Sequence, residues 1–164
     1  MSVDWLPQLI TLTEYDGNFH AYVEAVYRIF RRDFILSQPV FRGRRCFCDA
    51  RADSDGRECG FWHIVTSGPT EDARQPDLRR CERIGWPRAN IEAADTPFVY
   101  VWEAERRRTG KRTEMRLNLA PSDFSYLVVL RPTKNAFVLI TAFFLEHEHQ
   151  RRKKQKEYES AQKG

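Results

Sequence analysis

Residues 113–145 read TEMRLNLAPSDFSYLVVLRPTKNAFVLITAFFL. In Thr113–Leu119, Met115, Leu117 and Leu119 alternate with Glu114, Arg116 and Asn118, the period of a strand with one buried face. Tyr126–Leu130 and Ala136–Leu145 are apolar and carry β-branched residues, with the turn-forming Arg131-Pro132-Thr133-Lys134-Asn135 between them. Together with Phe98–Glu103, which Pro97 opens, these segments predict a four-stranded antiparallel meander.

Upstream, apolar residues from Phe19 to Phe34 recur three and four apart, which predicts a helix over Asn18–Leu36. Asp16-Gly17-Asn18 supplies its cap and Pro39 stops it. Val40–Asp49 and Glu58–Thr66 read as two strands joined at Asp55-Gly56, a hairpin that puts His63 in its second strand. Asp77–Ile84 reads as a short arginine-rich helix, broken at Gly85-Trp86-Pro87 and followed by a further turn at Arg88–Ala93. Downstream of the meander, Glu146 opens a charged helical tail. The order of elements is α+β: an N-terminal helix and hairpin, an arginine-rich helical segment, then the four-stranded antiparallel sheet and a C-terminal helix. The 164 residues fit a single domain, with a helical part over 1–37, a core over 40–146 and a basic tail over 147–164.

The chain carries 27 Lys and Arg against 23 Asp and Glu, and the excess is clustered. Five arginines fall between Arg74 and Arg88, six basic residues between Arg106 and Arg116, and the tail holds Gln-Arg-Arg-Lys-Lys-Gln-Lys over 150–156. Such clusters suit a phosphate-rich partner, with RNA the expectation and an acidic protein the alternative. No apolar run approaches the ~20 residues of a membrane span, and the first residues do not read as a signal peptide, so a cytoplasmic setting is expected. Cys46, Cys48, Cys59 and Cys81 lack the usual spacing of zinc ligands and read as buried thiols, with a zinc site the alternative. No metal or other cofactor is expected.

Two segments concentrate chemistry. His63 follows Phe61 and Trp62, and an imidazole titrates close to neutral pH. Arg80, Glu82, Arg83, Trp86 and Arg88 combine guanidinium groups for phosphate, one carboxylate, and an indole on which an unpaired base could stack. The other readings are a core histidine and a solvated basic helix with a packed Trp86.

Phe61-Trp62-His63-Ile64, then the run from Arg80 to Arg88 (RCERIGWPR), then Tyr126-Leu-Val-Val-Leu-Arg131, then Val138–Phe144 (VLITAFF) and a basic tail resemble a phage-type branch of the barnase–EndoU–colicin–RelE ribonuclease superfamily. The likeness covers roughly residues 40–160. It implies an α-helical part packed on a four-stranded antiparallel sheet and cleavage of RNA without a metal. It matches His63 to the family's early histidine, Arg83 to the arginine before an isoleucine, and Thr141 to the threonine of the last strand. Arg131 follows the third strand of the meander, although Pro132 directly after it departs from the pattern. The implied chemistry is attack by the 2′-hydroxyl, with His63 as acid or base and Glu82 as its partner or as a counter-ion to an arginine. Arg80, Arg83, Arg88 and Arg131 would hold phosphate, Thr141 would donate a hydrogen bond to it, and Trp86 would stack a base. A toxin or phage-encoded effector, neutralised by an acidic antitoxin or immunity protein, is the setting the resemblance implies. The rival functions are a non-catalytic RNA-binding module and a protein-interaction domain.

Overall fold

A computed structural model describes residues 3–107, 110 and 112–164. The first helix, α1 (Phe19–Phe34), starts where Asn18 accepts a hydrogen bond from the Ala21 N–H at 3.1 Å. It buries Tyr22, Val23, Val26, Phe30 and Phe34, the stripe predicted from the spacing. The segment before it is a strap: the Pro7 carbonyl accepts from the Trp86 indole at 2.8 Å, and the Ile10 carbonyl from the Tyr22 hydroxyl at 2.8 Å.

The predicted hairpin is corrected. Val40–Phe41 (β1) pairs antiparallel with Arg44–Phe47 (β2) around Arg42-Gly43. Both turn residues have positive φ, 50° and 78°, as a tight two-residue hairpin turn requires. Asp55-Gly56 instead closes a local loop, with the Asp53 N–H on the Arg57 carbonyl at 2.7 Å and an isolated bridge between Ala52 and Glu58.

The second predicted strand is a helix, α2 (Cys59–Val65). Phe61, Ile64 and Val65, spaced three and four apart, are all buried, and the Phe61 ring lies 5.3 Å from Phe30 and 5.0 Å from Tyr27 on α1. A short apolar run carries both periods, and the core on one side selects the helical one. Thr66–Ser67 (β3) and Gln75–Pro76 (β4) form a small ribbon, then come α3 (Leu78–Glu82) and α4 (Trp86–Glu92), split at Gly85 as the sequence predicts.

The meander consists of β5 (Val99–Arg106), β6 (Glu114–Pro121), β7 (Tyr126–Pro132) and β8 (Phe137–Phe144), antiparallel throughout. It makes up four strands of a six-stranded mixed sheet ordered β1-β2-β8-β7-β6-β5. The four-stranded antiparallel prediction therefore falls short by the β1–β2 hairpin, whose β2 pairs parallel with β8 through Cys46↔Phe137 and Phe47↔Val138. One sheet face packs on α1–α4 and the strap. The other carries a smaller cluster of Trp102, Ala120, Phe124, Leu127 and Leu145, on which α5 (Glu148–Lys163) seats Tyr158. Among the described residues no helix is long and apolar enough to cross a membrane.

Candidate active-site cleft

Because β2 pairs with β8 over only two residues, the two strands part after Phe47 and Val138. A bulge follows at once in β8: Leu130 faces Leu139 and Val129 faces Thr141, leaving Ile140 without a partner. A cleft of about 1160 Å³ opens there. Val138–Ile140 and Arg131 line it from the sheet, His63 and Trp62 from α2, and Asp49 to Asp55 from the loop.

His63 is half-buried. Burial first, then the Arg74 guanidinium and less strongly Arg80, holds its pKa below the usual 6.5, while Glu71 and Asp49 pull the other way. The imidazole is thus neutral near pH 7 and able to accept a proton. Arg74 and Arg80 also fix the end of α2. Arg74 donates to the His63 carbonyl at 2.8 Å and the Thr66 carbonyl at 2.5 Å, and Arg80 donates to the Thr66 carbonyl at 2.8 Å. A helix end leaves carbonyls without intrahelical donors, and these two guanidinium groups supply them.

Arg131 is exposed in the cleft, and no ion pair or hydrogen bond of its side chain occurs among the described residues. The other cleft arginines are engaged: Arg51 grips Asp49 at 2.6 Å, and Arg74 holds the carbonyls of α2. Arg131 is therefore the cation left to meet an incoming anion.

The remaining predicted residues lie elsewhere. Glu82 pairs with Arg79 at 2.6 Å and Arg83 at 3.6 Å, the counter-ion arrangement, and does not line the cleft. Arg83 is 8% exposed, sandwiched with its guanidinium 3.8 Å from the Phe144 ring centroid and 5.1 Å from that of Trp86. Arg88 bonds the Asp33 carbonyl at 2.9 Å, the Ser37 hydroxyl at 2.7 Å and Glu92 at 2.7 Å, tying α4 to the end of α1. Trp86 is 9% exposed, packs its ring edge-on against Tyr126 and gives its indole N–H to Pro7, so it offers a base no open face. Thr141 follows the bulge on β8 and is absent from the cleft lining. In the second basic cluster, Arg116 is buried and pairs with Glu114 at 2.7 Å, while Arg108 and Lys111 lie outside the described residues.

Asp49, Glu71, Arg74 and Trp62 are the cleft residues that sequence reasoning missed. The Phe61-Trp62-His63 run held a signal for Trp62, but a strand reading sends neighbouring side chains to opposite faces. Cys48 and Cys59 also line the cleft as free thiols, and burial pushes the Cys48 thiol up to about 12, far from the thiolate form. Among the described residues no group of three or more metal-ligating side chains is assembled. The chain matches no family model, no curated protein and no solved structure.

Proposed function

We propose that this protein is an endoribonuclease of the barnase–EndoU–colicin–RelE kind, cutting RNA by 2′-hydroxyl attack without a metal. The observation that carries the reading is the meeting, in one cleft large enough for a nucleotide, of a half-buried His63 held neutral by burial and an Arg131 whose side chain has no ion pair or hydrogen bond among the described residues. His63 takes the proton from the 2′-hydroxyl, and the freed oxygen attacks the adjacent phosphorus. Arg131 balances the charge that gathers on the phosphoryl oxygens. The bond to the 5′-oxygen breaks, that oxygen takes a proton delivered by water in the open cleft, and a 2′,3′-cyclic phosphate remains. Glu71, in the same cleft and electrostatically coupled to His63, takes the partner role that Glu82 cannot fill from its ion pairs.

The rival reading, a non-catalytic RNA-binding module, leans on Trp86 and the arginines of 80–88, and Trp86, Arg83 and Arg88 are engaged within the fold. The resemblance and the net charge of +4 favour a toxin or phage-encoded effector acting in the cytoplasm and checked by an acidic protein. Incubation of the purified chain with total RNA in EDTA tests the activity. Fragments ending in 2′,3′-cyclic phosphate are expected from the native protein and form about 100- to 10,000-fold more slowly with His63→Gln; intact RNA in both samples refutes the reading.

A further inference from the structure

The cleft holds one aromatic side chain that the chemistry above does not use. Trp62 precedes His63 on α2 and lines the same cavity. It is half-buried, unlike Trp86, so part of its ring meets solvent inside the cleft. It is also held in place. Its indole N–H donates to Asp55 at 2.9 Å, and the Phe61 ring packs 5.3 Å away at an interplanar angle of 58°. The Arg57 guanidinium lies 5.8 Å from the Trp62 ring centroid and is itself anchored by Glu24 and Asp55. The loop over 49–58 therefore holds this indole at its N–H edge and sets a guanidinium over its ring. A ring needed only for the core would gain by closing over completely, as Phe61 does at 0% exposure.

We propose that Trp62 is the nucleobase platform of this cleft: the base of the nucleotide whose 2′-hydroxyl reacts stacks on its indole. The inference rests on the ribonuclease reading for its location but not for its test. Successive side chains on a helix lie about 100° apart, so Trp62 and His63 present themselves to two parts of one ligand. With the phosphate on Arg131 and the ribose at His63, the base of the same nucleotide falls against Trp62. Stacking on an aromatic side chain tolerates any base, and its loss weakens binding by about 5- to 150-fold.

The test is a titration read by the indole N–H resonances of ¹⁵N-labelled protein, with Trp62 assigned by the signal that Trp62→Phe removes. Adenosine 3′-monophosphate is expected to move the Trp62 signal, whereas inorganic phosphate leaves it in place. Trp62→Ala weakens nucleotide affinity by the factor above without lowering the affinity for inorganic phosphate, and Trp62→Phe weakens it less. If adenosine 3′-monophosphate leaves the native Trp62 signal unmoved, the platform is refuted, and this holds even if Trp62→Ala fails to fold. A protein that cuts RNA while Trp62 ignores the nucleotide refutes the platform alone. A shifted Trp62 signal in a protein that never cuts keeps the platform and removes the catalytic reading.

Discussion

At the residue scale the proposed ribonuclease function turns on His63 and Arg131. General acid–base help is worth about 100- to 10,000-fold, so His63→Gln should lower the cleavage rate by that factor while melting close to the native protein. The histidine also sets a pH dependence. Its folded pKa lies below its unfolded value near 6.5, so the unfolded chain binds the extra proton and stability falls as pH drops below 6.5. Melting followed from pH 7.5 to pH 5 should show a shallower loss in His63→Gln than in the native chain; an unchanged slope removes His63 as a source. The arginines separate by what they already hold. Arg131→Ala should flatten the salt dependence of RNA affinity by about 0.7 in log–log slope, one phosphate contact to a single strand. Arg88→Ala, which cuts α4 loose from Asp33 and Ser37, should lower the melting temperature and leave that slope alone.

At the element scale everything depends on α2 being a helix. The packing of Gly60 explains why this short helix sits where it does: a Cβ there would lie 2.9 Å from the Cys48 Cβ and 3.0 Å from the Asp49 backbone N and O. Gly60→Val should therefore push α2 off the start of the loop, lowering stability and cleavage together, with the loss visible in a thermal melt. At the other end of the helix, Arg74→Gln removes a cation that depresses the His63 pKa and a donor to its carbonyl. The acid limb of kcat/KM against pH should then move upward, toward the ordinary histidine value, and a limb that stays in place would show that Arg74 serves only as a cap. How far these elements were legible follows from where their determinants lie. The stripe of α1 and the alternation of β6 are local periodicities, and both were read directly from the residues. The period of α2 is ambiguous within seven residues, and tertiary packing decides it: the Phe61 ring meets Phe30 and Tyr27 on α1, and the helix lies against β8 and α3. His63 was found as a titratable group beside aromatics. A packed Trp86 stands among the alternatives the sequence offers, but the burial of Arg83 leaves no local signal, because a guanidinium over Phe144 depends on a strand some sixty residues further on.

For the whole molecule, the sheet separates a thick layer of helices from a thin cover. On the thin side, Tyr158 is the aromatic anchor of α5, its ring 4.6 Å from Tyr100 and 5.7 Å from Trp102. Tyr158 is partly buried, so Tyr158→Ala should cost about 1 kcal/mol, less than a fully buried side chain would, with helical signal lost first by the last helix in hydrogen exchange. The cleft lies at the other edge, where the parallel pair of β2 and β8 joins residues about ninety apart in the chain. That pairing has a consequence for synthesis. A chain emerging from the ribosome carries His63 before β8, and the wall made by Val138–Ile140 does not exist until β8 has come out, so growing chains and messages cut short before Phe137 yield the histidine without a complete cleft around it. Under the proposed reading, the cell making this protein meets its chemistry only in chains translated through the last strand.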